Sequence, residues 1–274
     1  MAAIPPITRE QVREFEMLQS RCVESLMRPV GAIEGNEQGY AYFEKQCANS
    51  LVRAALSTNP YARHFCGAFG LTREMDPATL AEVIAFFREH GVAPRIRIVP
   101  DGFTPEKATL LASHGLRHFG FHTVMWSPLP MVVEPLPANI RVQHVTDPAE
   151  FDVAMDVSLA GWRVPYNPDS PIKKLRRCWR TLPQHRTYLA YLDEKPAGHA
   201  MLYLEGKTAY IESASVIPEF RARGVHTALI RRRINDAIAD GCDTVVGGAD
   251  FESQSRTNQM RAGLQIAYLA ALWE

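Results

Sequence analysis

The stretch from Thr208 to Val246 limits how this 274-residue chain can fold more than any other. Thr208 to Val216 has strand composition, and a short loop holding Arg221 and Arg223 leads to Gly224. Ile230, Ile234, Ala237 and Ile238 then recur at helical spacing, Asp240-Gly241 stops the helix, and Thr244-Val245-Val246 reads as the next strand. Strand, loop, helix and strand in that order make an α/β unit. The loop also has the chemistry of an anion cradle. The first N–H groups of a helix have no intrahelical partner, and the macrodipole adds partial positive charge there. Arg221 and Arg223 contribute full charges, and Gly224 brings the backbone close to a ligand without a Cβ.

Arg221-x-x-Gly224-x-His226 resembles the (Gln/Arg)-x-x-Gly-x-(Gly/Ala) pyrophosphate loop of the GNAT superfamily of N-acetyltransferases, with His226 where a small residue is usual. The order of elements matches that family over residues 138–274. The resemblance implies acetyl-CoA as cosubstrate and no metal. Its pyrophosphate would lie on Arg221, Arg223, Gly224, Val225, His226 and Thr227, and its pantetheine arm along the backbone of Ala214, Ser215 and Val216. Asn258 matches a helix asparagine that meets that arm, and Arg261 would reach phosphate. The acceptor-lining loop would present Trp162, Tyr166 and Asn167, with Asp169 as an ammonium partner.

Acyl transfer from a thioester to an amine needs a neutral amine, a stabilised oxyanion and a proton for the departing thiolate. Glu212, two residues before Ala214, is the base this reading selects; the bland alternative is a carboxylate facing solvent or paired with an arginine. Many family members carry a tyrosine four residues before the glycine that ends the last helix, where this chain has Gln259. Tyr268 or Tyr210 would then substitute as the acid, or the thiolate leaves unaided. Arg231-Arg232-Arg233 points in three directions on a helix and reads as a mostly solvated face.

A faint internal repeat organises the first half. Leu80, Val83, Ile84 and Phe87 form a helical face ending at His90-Gly91, before a strand at Ile96–Val99. Gly115 and Gly263 are each followed by leucine, and each copy then runs through strand-like residues to Trp126 or Trp273. The expected architecture is therefore α/β (α+β): tandem GNAT-like domains, each a mixed, mostly antiparallel central sheet flanked by helices. Residues 1–130 are expected to form a degenerate copy, 131–137 a proline-rich linker, and 138–274 the acetyl-CoA-binding catalytic domain. The alternative for 1–130 is an unrelated α/β domain. Its first helix opens Met75-Asp76-Pro77, where the Asp76 carboxylate would fill the anion site and Pro77 lacks an N–H.

Thirty basic side chains balance thirty acidic ones, so no global field favours nucleic acid or an anionic membrane. Five cysteines without CxxC spacing argue against a disulfide framework or zinc site and for a reducing cytoplasm. His114, His118 and His122 fall on a strand in the repeat, not on a helix that would align metal ligands. No apolar run has membrane-spanning length, and the start lacks a signal-peptide core. The expected protein is a cytoplasmic N-acetyltransferase acting on a primary amine of a small molecule or peptide, with homodimerisation open. The competing readings are a catalytically silent acyl-CoA-binding or regulatory protein, and an N-acyltransferase for longer acyl chains.

Overall fold

The computed structural model describes residues 6–33, 39–47, 50–59, 66–71, 76–165, 167 and 170–274. Its contacts divide into two units: the described residues up to Val124 together with Ala267–Glu274, and Met125–Ile266.

The first unit opens with helix α1 (Arg9–Gly31), started by a reciprocal capping box between Thr8 and Gln11. Strands β1 (Tyr40–Cys47), β2 (Ser50–Ser57) and β3 (Gly67–Phe69) follow, then α2 (Pro77–Glu89), β4 (Ile96–Ile98), α3 (Pro105–Ser113) and β5 (His118–Pro128). The chain's last strand, β12 (Gln265–Trp273), completes this unit's sheet in the order β1-β2-β3-β4-β12-β5. Ala271 pairs antiparallel with Ile98, and Arg117 and Glu274 exchange backbone hydrogen bonds. The expected helical face is buried: Leu80, Val83, Ile84 and Phe87 pack with Ile96 and Ile98. His118 and His122 lie on strand β5 as the repeat required, whereas His114 lies at the C-terminal end of α3; the described residues contain no cluster of potential metal ligands.

The second unit contains β6 (Ile140–Val145), α4 (Pro148–Gly161), α5 (Pro171–Arg176) running into a 3-10 turn at Arg177–Thr181, β7 (His185–Leu192), β8 (Lys195–Glu205), β9 (Thr208–Ile211), β10 (Ala214–Val216), α6 (Val225–Ala239), β11 (Thr244–Asp250) and α7 (Gln254–Arg261). Its sheet runs β11-β9-β8-β7-β6, antiparallel except for the β9–β11 pair, with β10 also on β8. Tyr188, Ala190, Ala200, Leu202, Ala209 and Ile211 pack with Leu229, Ile230 and Ile234 of α6 in one apolar core.

Two features differ from the expectations. The boundary falls at Val124/Met125, before the prolines, because Met131, Val133 and Leu136 pack against the second unit's core rather than standing clear as a connector. The single strand expected over Thr208–Val216 is broken at Glu212-Ser213, where Ser213 takes φ 22°. Element order after the break repeats that of the first unit: α2, β4, α3, β5 correspond to α6, β11, α7, β12, and the repeat glycines Gly91, Gly115, Gly241 and Gly263 all have positive φ.

Because β12 belongs to the first unit, a chain ending at Ile266 is expected to expose that unit. Tyr268 and Leu272 are buried there, and full burial of such side chains is worth about 1.5–3 kcal/mol each. Limited proteolysis of the truncated chain should cut within the residues before Val124 under conditions the full chain withstands; equal resistance would contradict this placement.

Candidate active site

Helix α6 starts differently from the other long helices. Side chains of Thr8, Asp76, Thr104, Asp147 and Ser253 cap α1, α2, α3, α4 and α7, whereas Gly224 at the N-cap of α6 supplies none. Its first N–H groups are therefore left for a ligand. Ala222 (φ 59°) and Gly224 (φ 86°) alternate left-handed with their neighbours, the geometry of an anion-binding nest. In α2 the Asp76 carboxylate accepts from Thr79 N at 2.7 Å, so that helix start is self-satisfied as the sequence suggested. Met75 itself lies outside the described residues.

A Cβ on Gly224 would sit 3.4 Å from Ile140 Cδ1 and hold a left-handed φ. Gly224→Ala is expected to cost about 1–2 kcal/mol. Chemical denaturation should show a lowered midpoint with unchanged slope; an unaltered midpoint would mean that the loop relaxes freely.

Arg221 is not free for phosphate. Its Nε donates to Val216 O at 3.1 Å and its Nη2 to Gly161 O at 2.7 Å, so it ties the loop to the C-terminus of α4. Arg223 is exposed and pairs with Asp193 at 3.1 Å, within reach of an anion by a side-chain swing. His226 is held neutral: burial, then the charge of Arg233, pushes its pKa down to about 4, and Asn258 Nδ2 lies 3.1 Å from its Nδ1. Asn258 thereby links α7 to α6 and also accepts from Gln254. Thr227 lies in the first turn of α6, and Arg261 is exposed in the last turn of α7.

The break in β9–β10 opens a cleft. Strands β9 and β11 pair as far as Ile211 and Gly247; beyond them, β10 pairs with β8 alone, so one edge of Ala214–Val216 has no strand partner among the described residues. An extended ligand with amide groups can add to such an edge by backbone hydrogen bonding. Arg233 holds the break open. Its guanidinium is fully buried and donates through Nη1 to Met201 O at 2.9 Å and Glu212 O at 2.7 Å, and through Nε to Leu229 O. Desolvation pushes its pKa down to about 10. The expectation of a solvated basic face on α6 is thus corrected. Arg232 bonds Val142 O and Asp236, and Arg231 bonds Glu134 and Pro135 O.

Glu212 lies just beyond β9 in a turn, its N–H donating to Tyr210 O at 2.9 Å, and its carboxyl feels the charges of both Arg233 on α6 and Arg176. On β8, His199, Met201 and Tyr203 alternate to the face away from α6. Ser215 on this face bonds Ser158 O of α4. Glu212 is 7% exposed and its Oε2 has no hydrogen-bond partner. Desolvation pushes its pKa up to about 7, against the lowering charges of Arg233 and Arg176. His199 is 1% exposed with neither ring nitrogen partnered; burial, then Arg176 and Arg233, pushes its pKa down to about 3. A carboxyl that titrates near neutrality in a cleft can take a proton from an ammonium-derived nucleophile.

The acid candidate Tyr268 and Gln259, which stands in the usual tyrosine's place, take different surroundings. Tyr268 belongs to the first unit, where its hydroxyl is buried near Glu16, Arg97 and Gln19 and its pKa is pushed up by desolvation. Gln259 is buried on α7 with its Nε2 donating to Gly248 O (3.1 Å) and Ser255 Oγ (3.2 Å). That leaves Oε1, an acceptor, toward Gly247, where a Cβ would be only 2.1 Å away. Gln259 therefore cannot donate at this point. Trp162 is 43% exposed at the end of α4, Asn167 is exposed, and Tyr166 and Asp169 lie outside the described residues. Sequence reasoning missed His199, Arg176 and the buried role of Arg233; the strand alternation on β8, apolar at Ala200 and Leu202 and polar at His199, was the signal available for the first.

Residues 153–257 match the model of the Acetyltransferase (GNAT) family. No protein of curated function matches the sequence. Among solved structures, the chain is similar to a GCN5-related N-acetyltransferase from Kribbella flavida (TM-score 0.57, 13% identity, 93% of this chain and 94% of that one). It is also similar to a tandem GNAT protein from the clavulanic acid biosynthesis pathway (TM-score 0.58, 16% identity, 98% and 95%). At these identities the likeness shows the fold. No helix among the described residues is long and apolar enough to cross a membrane.

Proposed function

We propose that this chain, an acyltransferase carrying a GNAT domain at residues 153–257, moves an acetyl group from acetyl-CoA to a primary amine of a small molecule or peptide by direct attack. The observation that carries the reading is the junction of three features in one unit: the uncapped start of α6, the unpaired edge of Ala214–Val216, and Glu212 at the break between them. The pyrophosphate lies on the N–H groups of Val225, His226 and Thr227 with Arg223 alongside. The pantetheine amides pair with the β10 edge. Arg221 acts by fixing the loop, and Asn258 by holding His226 and α7 in place.

Glu212, ionised, accepts the proton of the amine as the nitrogen attacks the thioester carbonyl. The tetrahedral intermediate collapses to amide and thiolate, and the thiolate is protonated without Gln259. A CoA thiol is only moderately basic, so unassisted departure is tolerable. Residues up to Val124, with β12, are read as a degenerate copy whose self-capped α2 binds no CoA. The test is thiol release from acetyl-CoA on addition of amines, amino acids and peptides. Release that depends on the amine supports transfer, and acetyl-CoA binding without release under any amine would support a silent acyl-CoA-binding protein instead.

A further inference from the structure

His226 stands where the loop pattern usually has a small residue, and the structure gives its ring a defined state. Nδ1 lies 3.1 Å from Asn258 Nδ2, while Asn258 Oδ1 accepts from Gln254 Nε2 at 2.9 Å. An amide nitrogen only donates, so Nδ1 accepts, and the single proton of the neutral imidazole sits on Nε2. Burial keeps the ring neutral, with its pKa pushed down to about 4, and the charge of Arg233 acts in the same direction. The Nε2–H end is left over. It forms no hydrogen bond among the described residues, and it is not closed off from solvent as both ring nitrogens of His199 are.

The place of the ring on the helix sets where this donor acts. His226 is the second residue of α6, and a helical Cα–Cβ bond tilts toward the N-terminus, so the ring lies beside the first turn and its uncapped N–H groups. The corresponding residue of the self-capped α2 is Ala78, which carries no donor. Because Asn258 already selects the tautomer, no proton has to move when an anion arrives. A hydrogen bond to an ionised oxygen is also about twice as strong as one between neutral groups.

We propose that the His226 side chain is itself a phosphate ligand: its Nε2–H donates to an oxyanion of the acetyl-CoA pyrophosphate, and Asn258 holds the ring in the donating tautomer. The inference rests on the pyrophosphate lying at the start of α6, as argued above. A small residue at this place leaves recognition to the backbone. His226 gives up that space for a neutral, preset side-chain donor.

Calorimetric titration of three ligands into the full chain identifies the anion: acetyl-CoA, its 3′-dephospho form, and S-acetylpantetheine, which has no phosphate. His226→Ala should weaken acetyl-CoA and the dephospho form alike, by about tenfold, and leave S-acetylpantetheine unchanged. His226→Gln, with an amide N–H of similar reach, should recover most of the loss, which a role in packing α6 against α7 would not allow. Nitrogen NMR of the wild-type ring should find the proton on Nε2 at neutral pH. Unchanged or tighter acetyl-CoA binding in His226→Ala, an equal loss for S-acetylpantetheine, a loss absent from the dephospho form, or a proton on Nδ1 would each overturn the proposal. The two readings fail separately. Acetyl-CoA binding that Gly224→Asp abolishes and His226→Ala leaves intact would remove this inference alone, whereas no binding to wild type would remove both.

Discussion

Glu212→Gln is expected to lower turnover by about 10²–10⁴-fold, the usual worth of a positioned base, while acetyl-CoA affinity stays nearly unchanged. The substitution keeps size and one hydrogen-bonding oxygen but cannot take a proton. Since desolvation holds the Glu212 pKa up at about 7, wild-type kcat/KM should rise with pH through that value and level off above it, and the variant should lose this limb. The stability consequence has the opposite sense. A carboxyl whose pKa is raised on folding favours the folded state at low pH, and that contribution disappears as pH rises through about 7, so the residue trades stability for reactivity in the range where it works. Turnover of Glu212→Gln within threefold of wild type across pH 6–9 would remove Glu212 as the base.

Arg233→Met is expected to destabilise the second unit by about 2–4 kcal/mol, because two carbonyls would be left buried without donors. The chain breaks its strand at Glu212-Ser213, and the freed carbonyls of Met201 and Glu212 receive their hydrogen bonds from this one side chain. Methionine matches the aliphatic length and removes the desolvated charge, which offsets part of the loss. The variant should unfold at lower denaturant concentration with an unchanged slope, and what folds should show Glu212 titrating higher, since the largest lowering influence on that carboxyl is Arg233. A midpoint equal to wild type would show that the break closes into an ordinary ladder without the guanidinium.

The loop at Gly224, helix α6 and the strand at Thr244–Val246 could be read directly, because apolar periodicity, Gly224 and Gly241 are local signals, whereas the break at Glu212-Ser213 within Thr208–Val216 could not. The repeat of α2, β4, α3 and β5 was legible for the same reason, as was the self-capping of α2 by Asp76. What the chain conceals is the set of partners chosen in three dimensions. Nothing near Arg221 announces that it bonds the carbonyls of Gly161 and Val216 instead of facing a ligand. Three consecutive arginines look alike in sequence, yet the break in β9–β10 creates a demand for donors that only Arg233, on the inner side of α6, can meet. Tyr268 seemed available because it follows α7 closely, but β12 pairs with β4, in the other unit.

The central claim is that the uncapped start of α6 binds a CoA thioester. Calorimetric titration of acetyl-CoA into the wild-type chain and into Gly224→Asp tests it most directly, since the new carboxylate would occupy the helix start just as Asp76 does in α2. Arg221 is the wrong residue to change, because its loss would disturb the loop's anchoring as well as its charge. The account predicts saturable binding to wild type and at least a hundredfold loss in Gly224→Asp with the fold retained, equivalent to about 2.7 kcal/mol. Equal affinity in the two proteins, or no binding to wild type, would contradict it.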